Sequence, residues 1–127
     1  MLATAFRSKK RFTLSKFFQN VKDNATLNIQ KVKERVHIQR EDGKNMELDI
    51  VAESSCDRII LVEVKKTQTK MGLNKIEDFQ EKVDVYKTTF PDAIVLAAYL
   101  SLGGFTEEAG DFCLKHGIAV AEKIEEL

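Results

Sequence analysis

Asp49 and Glu63 lie on neighbouring strands that the sequence predicts to pair. The first strand alternates apolar and polar residues over positions 46–53, and the second covers positions 59–66. A turn centred on Cys56 sets the two carboxylates directly opposite each other. At that separation, with Cβ atoms about 5 Å apart, they repel each other and weaken the sheet. The pattern therefore predicts a cation between them.

The same register builds a continuous apolar face, which supports it. It pairs the following residues: Leu48 with Val64, Ile50 with Val62, and Ala52 with Ile60. A shift of one residue would turn every side chain to the other face, so matching of this kind fixes the register. On the polar face, Glu47 comes opposite Lys65, either as an ion-pair partner or as a further ligand for the cation.

A basic strand is predicted to precede this hairpin. Residues 28–38 alternate between apolar residues and a row of cationic ones: Lys31, Lys33, Arg35 and His37. Stacking Val36 on Ile50 places His37 next to Asp49. Cationic side chains in a row suit the phosphates of a nucleic acid. The basic row is therefore predicted to bind nucleic acid on the same face as the acidic pair, although His37 is also compatible with a plain surface role.

The N-terminal part of the chain is predicted to hold a basic arm, residues 1–11, and then a helix capped by Thr13. The apolar positions of that helix fall on one face: Leu14, Phe17, Phe18 and Val21. Residues 1–40 carry ten Lys or Arg and two acidic residues, whereas residues 41–127 carry ten and eighteen. This asymmetry indicates either a surface that meets a polyanion or a basic segment that docks on the acidic remainder.

After the hairpin, the pattern predicts a helix, a buried strand, another helix and a short last strand. Asn74 and Glu77 form the predicted capping pair of the first helix. The apolar run 93–100 reads as a strand buried on both faces, and Thr106 begins the last helix. The whole order is α-β-β-β-α-β-α-β. It predicts an α/β domain whose mixed sheet is an antiparallel meander followed by crossover units.

Composition and length limit the class of protein. Hydrophobic residues make up 43% of the chain and charged residues 31%, with a net charge of zero, as in soluble globular proteins. A chain of 127 residues has room for one core, expected over positions 12–121. With no long apolar run and no secretory signal, we expect a cytoplasmic location and no membrane contact. Cys56 and Cys113 are expected to be reduced, and no zinc site is expected.

The two strands of the hairpin also resemble a known signature. Residues 46–51 and 60–65 are similar to the PD-(D/E)XK nuclease superfamily, in which an acidic residue lies on the second core strand and E-x-K on the third. The predicted element order resembles the restriction-endonuclease-like core of that family, over roughly residues 12–121. The usual proline before the acidic residue is replaced by Leu48, and no branch of the superfamily can be assigned.

The resemblance implies a role for each residue of the signature. Asp49 and Glu63 would bind Mg²⁺, or Mn²⁺ in its place, together with the backbone carbonyl of Val64. Lys65 would orient or deprotonate the attacking water, or stabilise charge on the phosphate. Gln80, on the helix after the third strand, is a further catalytic candidate. Hard oxygen ligands suit Mg²⁺, and a desolvated lysine can accept a proton.

The expected function is metal-dependent hydrolysis of phosphodiester bonds in DNA by an endonuclease. Solvated charges on an exposed sheet face are the alternative explanation of the acidic residues and the lysine. Two other functions stay open: a domain that binds nucleic acid without cutting it, and an assembly domain in which basic and acidic regions of different subunits meet. Because a domain of this size has little surface for sequence readout, a homodimer or association with a recognition domain is also expected.

Overall fold

The computed structural model describes residues 2–123, which form three helices, six strands and a short 3₁₀ turn. The helices are α1 (Leu2–Lys9), α2 (Leu73–Thr89) and α3 (Glu107–His116), and the 3₁₀ turn is Leu14–Lys16. The strands are β1 (Arg11–Phe12), β2 (Leu27–Gln39), β3 (Asn45–Ser54), β4 (Arg58–Lys65), β5 (Ile94–Ser101) and β6 (Ala119–Ala121). None of the described helices is long and apolar enough to cross a membrane.

The strands form one mixed sheet in which spatial order follows chain order, β1 to β6. Strands β1 to β4 are antiparallel neighbours, whereas β5 runs parallel to β4 and β6 runs parallel to β5. Helix α2 connects β4 to β5, and α3 connects β5 to β6. Strand β6 is short: it pairs with residues 98–100 of β5 and, on its other side, Val120 forms an isolated antiparallel bridge with Gln19. The predicted meander and crossover units are confirmed, with the two-residue strand β1 in addition.

Apolar side chains cover both faces of the sheet, because helices pack against each of them. On one face, α1 and the segment after β1 cover a cluster that includes Phe6, Leu14, Ile50, Ile60, Val62 and Ala98. On the other face, α2 and α3 cover a cluster that includes Leu48, Val51, Leu61, Phe79, Tyr99 and Cys113. Strands β4 and β5 carry apolar side chains on both covered faces, as the continuous apolar run of β5 predicts.

The N-terminal segment differs from its predicted form. Residues 2–9 form α1, whose Leu2 and Phe6 are buried in the core, so this part of the chain is not a solvated arm. Thr13 precedes only the short 3₁₀ turn Leu14–Lys16, and the predicted α-helix over the following residues is not formed. The apolar residues assigned to that helix are nevertheless core residues, because Leu14, Phe17 and Phe18 are all buried. Burial was predicted correctly and the helical conformation was not.

The predicted N-cap is confirmed for α3 and wrong for α2. Helix α2 begins after Gly72, so Asn74 lies inside its first turn and does not cap it. In α3, the Thr106 hydroxyl accepts a hydrogen bond from the backbone N–H of Ala109, and Gly117 ends the helix at φ +72°. Threonine is a common N-cap, and glycine adopts the left-handed conformation without strain. Capping was therefore predictable where both signals were present.

The register of the β2–β3 hairpin differs from the predicted one by two residues. Val36 pairs with Leu48 instead of Ile50, and His37 pairs with Glu47 instead of Asp49. The reason lies in the turn, which closes through a hydrogen bond from the N–H of Arg40 to the carbonyl of Lys44. The turn is thus centred one residue earlier than the predicted register requires. A two-residue shift leaves each side chain on its predicted face but moves it along the strand.

Candidate active site

The β3–β4 hairpin positions the acidic pair where its main-chain pairing ends. Ile50 pairs with Val62 and Ala52 with Ile60, so the predicted register is confirmed there. Beyond Ile50, the Asp49 side chain makes the contact between the strands: its Oδ2 accepts a hydrogen bond from the backbone N–H of Val64 at 2.8 Å. The side chain of one strand is thus fixed against the main chain of the next.

The predicted pairs beyond this point are not part of the paired register. Leu48 does not complete the apolar face of Ile50, since it packs in the cluster under α2 with Leu61. Glu47 pairs with His37 of β2, and the described β3–β4 pairing ends before it would reach Lys65. Main-chain pairing between β3 and β4 therefore stops next to Asp49.

Glu63 is a buried carboxylate at this end of β4. Its side chain is 6% exposed, and its Oε2 accepts a hydrogen bond from Nζ of Lys82 at 2.7 Å. Its Oε1 is buried and has no hydrogen-bond partner among the described residues. Burial raises the pKa of Glu63 above its usual value, the Lys82 ammonium opposes that shift, and the negative charge of Asp49 adds to it. The predicted direct opposition of Asp49 and Glu63 is not part of the paired register, which ends at Ile50 and Val62.

Tyr99 of β5 lies next to Glu63. It is the parallel neighbour of Glu63 and is almost fully buried. Its ring packs edge-on against Phe79 of α2, with 5.4 Å between ring centroids. Burial raises the pKa of the Tyr99 hydroxyl, and the negative charges of Glu63 and Asp49 raise it further. The hydroxyl group therefore stays protonated beside the carboxylates over the physiological range.

A cleft of about 380 Å³ opens over Glu63 and Tyr99, between the β2–β3 turn, β4 and α2. Cationic and acidic side chains line it in equal number: Lys44, Lys65, Lys75 and Lys82 with Glu47, Glu63, Asp78 and Glu81. Lys65 is half-buried and stands at the carboxyl end of β4, where the parallel strands β4 and β5 end together. Ligands of open α/β sheets commonly bind outside the carboxyl ends of such strands.

The predicted basic row lies elsewhere. The four residues are exposed on β2, and none of them is among the described residues that line the cleft: Lys31, Lys33, Arg35 and His37. Lys33 forms an ion pair with Glu53 at 3.2 Å, and Nε2 of His37 lies 3.9 Å from Glu47. The row is available to a nucleic acid, although acidic residues of β3 offset part of its charge.

The catalytic candidate Gln80 and the acidic residue Asp23 also lie outside the cleft. Gln80 donates a hydrogen bond to Asp84 at 2.9 Å and lines a separate cavity of about 310 Å³. Asp23 forms an ion pair with Arg58, with 2.8 Å between its Oδ2 and Nε of the arginine. Neither side chain is brought together with Asp49 and Glu63.

Lys75 and Lys82 of α2 were missed by the sequence analysis. They are seven residues apart, which is close to two helical turns and places them on one side of the helix. The signal was present, because both residues border the buried stripe that begins at Ile76. Their contact with the site depends on how α2 packs across β4, which the spacing alone does not define.

The residues at the site fit a hard divalent cation. Asp49, Glu63 and the backbone carbonyl of Val64 offer only oxygen ligands, of the kind that Mg²⁺ prefers. The unpartnered Oε1 of Glu63 is a buried acceptor that such an ion would satisfy. Residues 2–123 contain no group of three His, Cys, Asp or Glu side chains that could hold a metal. A bound ion would therefore depend on two carboxylates, water and substrate oxygens.

Comparison with known proteins gives similarity in structure and not in sequence. No protein-family model matches the chain, and no curated protein matches it at a significant level. The crystal structure of AF1548, a protein of unknown function, is similar over 71% of this chain and 47% of that one, with 24% identity and a TM-score of 0.56. A repair endonuclease from Pyrococcus abyssi is similar over 74% of this chain and 40% of its own, with 17% identity and a TM-score of 0.53.

These similarities show the fold. The chain shares its fold with these two proteins, so the restriction-endonuclease-like core that its element order predicts is confirmed. A more distant structure, EndoMS in complex with double-stranded DNA, has 14% identity and a TM-score of 0.49. The chain spans less than half of the length of each of these proteins.

Proposed function

We propose that the protein is a metal-dependent nuclease that hydrolyses phosphodiester bonds of DNA at the cleft over Glu63, and that it acts as an endonuclease. One observation carries the proposal: within residues 2–123, Oε1 of the buried carboxylate Glu63 has no hydrogen-bond partner, and Glu63 lines a cleft together with Lys65. This arrangement occurs in a fold that the protein shares with a repair endonuclease. A buried acceptor without a donor costs free energy, which a ligand would recover.

Asp49, Glu63 and the carbonyl of Val64 would hold Mg²⁺, for which Mn²⁺ can substitute. When bound, such an ion lowers the pKa of a coordinated water and offsets charge on the phosphate oxygens. The hydrogen bond from Val64 fixes the Asp49 side chain. Glu63 is buried beside Tyr99 of β5 and accepts a hydrogen bond from Lys82 of α2, and both contacts restrict its side chain. Both ligands are therefore held in place before substrate binds, which is a condition for efficient catalysis.

Lys65 is the proposed catalytic cation of the chain itself. Its side chain follows Glu63 on the same side of β4, because residues two apart on a strand point to the same face. It lines the cleft with Glu63, so its ammonium can bind a phosphate oxygen or take a proton from the attacking water. Lys44 and Lys75, both exposed at the rim, would bind neighbouring phosphates of the strand.

DNA binding without cleavage is the second candidate function. It is favoured by the exposed basic row of β2, Lys31, Lys33, Arg35 and His37, which lies outside the cleft and can bind phosphates whether or not the site is active. Such binding would weaken steeply with salt, because it releases counterions from the nucleic acid. The two functions differ in their dependence on a divalent cation and on the acidic pair.

Supercoiled plasmid, linear duplex DNA and single-stranded RNA, each with Mg²⁺, Mn²⁺ or EDTA, separate these functions. Wild-type protein is expected to nick or cut DNA only with a divalent cation. Asp49→Ala and Lys65→Ala are expected to lose at least about 100-fold in rate, since each removes a group that acts on the reacting atoms. The matched control Lys31→Ala removes an exposed charge outside the cleft, so it should weaken DNA binding without removing cleavage.

The outcomes are distinct. Cleavage that persists in EDTA, or in both Asp49→Ala and Lys65→Ala, would contradict the proposal. Salt-sensitive DNA binding without cleavage under any metal would instead favour the binding function. Circular dichroism of each variant establishes that a loss of activity is not a loss of folding.

A further inference from the structure

The contact between Lys82 and Glu63 joins α2 to the floor of the cleft. Nζ of Lys82 lies 2.7 Å from Oε2 of Glu63, and the lysine side chain is only 20% exposed. No other hydrogen bond or ion pair to the Glu63 carboxylate occurs within residues 2–123. The two residues are 19 positions apart in sequence, so the contact is made by packing of the helix on the sheet.

Only one oxygen of the Glu63 carboxylate has a hydrogen-bond donor among residues 2–123. Oε2 has the ammonium as a charged donor, while Oε1 is buried and has none among the described residues. Charge-assisted hydrogen bonds of this length are strong and directional, so the ammonium restricts how the carboxylate can rotate. A side chain that is held through one oxygen presents the other to a ligand in a defined orientation.

We propose that Lys82 is a positioning residue for metal binding: its ammonium holds Oε2 of Glu63 and leaves Oε1 for the divalent cation. This inference rests on the proposed function, since it concerns the ion that the nuclease would use. Carboxylates that bind metals are themselves held by hydrogen-bond partners behind them. Removing such a partner lowers metal affinity by about 10- to 100-fold.

Simple electrostatics makes the opposite prediction. A lysine near a cation site repels the cation, so removal of its charge should tighten metal binding. Lys75 offers a matched control because it lines the same cleft from the same helix and is exposed. The described structure gives its side chain neither a hydrogen bond nor an ion pair, in contrast to Lys82. Lys75→Met thus removes the same charge without affecting how Glu63 is held.

Calorimetric titration with Mn²⁺ alone, in the absence of nucleic acid, tests the inference on wild type, Lys82→Met, Lys82→Arg and Lys75→Met. Lys82→Met should bind Mn²⁺ about 10- to 100-fold more weakly than wild type. Lys82→Arg should recover most of the affinity, because a guanidinium also donates to a carboxylate. Lys75→Met should bind Mn²⁺ as tightly as wild type or more tightly. Circular dichroism checks folding, and Lys82→Ala, which also removes the donor, replaces the methionine variant if that one unfolds.

Each other outcome is informative in a different way. If Lys82→Met binds Mn²⁺ as tightly as wild type or more tightly, the inference fails and the proposed function does not. If Lys75→Met loses as much affinity as Lys82→Met, the effect is not specific to the contact with Glu63 and the inference is again wrong. If wild type binds no Mn²⁺, both the inference and the metal-dependent function are contradicted.

Discussion

The carboxylate of Asp49 accepts a hydrogen bond from the backbone N–H of Val64, with 2.8 Å between Oδ2 and N. Main-chain pairing of β3 with β4 ends at Ile50 and Val62, so this side chain connects the strands where the ladder stops. Asp49 thus stabilises the open end of the hairpin in addition to its proposed role as a ligand. The two roles can be separated by substitution.

Asp49→Ala leaves the N–H of Val64 without its acceptor, which should lower the free energy of unfolding by about 1–2 kcal/mol. Asp49→Asn keeps a side-chain oxygen that can accept the same bond, so its stability should stay closer to that of wild type. Both variants should lose metal-dependent cleavage, because an amide is a poor substitute for a carboxylate ligand. Urea denaturation and plasmid nicking measure the two effects. Equal destabilisation by both substitutions would show that the hydrogen bond contributes little.

Lys82→Met should destabilise the metal-free protein by about 3 kcal/mol, because it leaves a buried carboxylate without its counter-ion. The double variant Lys82→Met, Glu63→Gln should recover most of that loss, since the buried charge is then absent. Chemical denaturation in EDTA gives the four free energies of this cycle. A double variant as unstable as the single one would indicate that lost packing of the lysine stem, and not the unpaired charge, causes the effect.

Phe6→Ala should lower the free energy of unfolding by about 3–5 kcal/mol, as expected for a large aromatic side chain removed from a core. Phe6 is fully buried, with its ring 5.1 Å from that of Phe12 and 5.4 Å from that of Phe17 between centroids. The neighbouring substitution Arg7→Ala, which removes an exposed ion pair with Glu34, should change stability little. Thermal or urea unfolding compares them. Similar small effects of both would mean that α1 is not part of the folded core.

Gly103→Ala and Gly110→Ala should change stability in opposite directions. A Cβ at Gly103 would collide with the backbone carbonyl oxygen of Thr69, in the loop that follows β4. A Cβ at Gly110, inside α3, meets nothing within 4 Å and should stabilise the helix by about 0.5–1 kcal/mol. Melting temperatures of the two variants, with nicking rates for Gly103→Ala, test the contrast. A Gly103→Ala variant with wild-type stability and activity would show that the loop can yield.

Acid sensitivity should depend in part on Asp23. The hydrogen bond from Arg58 lowers the pKa of Asp23 below its usual 3.8, with a further contribution from the backbone N–H of Ala25. A lowered pKa means that the pair stabilises the fold above about pH 3.8 and loses this effect as the pH falls through the lowered value. The stability difference between wild type and Asp23→Asn should therefore shrink in acid. A difference that is constant down to pH 2 would contradict this expectation.

The sheet could be predicted from sequence because its strands carry strong, consistent patterns. Apolar matching predicted the register of Ile50 with Val62 correctly, and Asp49 and Glu63 are the next residues beyond that pair. The two-residue error between β2 and β3 arose where alternation is satisfied equally well by a shift of two. Alternation specifies the face of a side chain, while its position along the strand depends on turn geometry.

The helices were harder to place for a different reason. Short segments such as 2–9 have weak intrinsic helix preference, and their stability comes from tertiary packing that the sequence does not display. Gln80 and Lys82 illustrate a second limit. Residues two apart on a helix differ by about 200° in direction, so one of them lines the cleft while the other lies at a separate cavity. Only the packing of α2 on the sheet decides which of the two contacts Glu63.

The shortness of β6 leaves part of β5 as a free edge. Residues 94–97 precede the stretch that pairs with β6, so their outward-facing main-chain groups have no strand partner within the described chain. Such edges promote intermolecular pairing and aggregation, and natural proteins protect them with charged side chains, lysine above all. Lys22, Lys87 and Lys115 surround this edge at the cavity that also contains Gln80. Their charges lie where natural sheets commonly carry lysine, at an edge that could otherwise pair with the sheet of another copy.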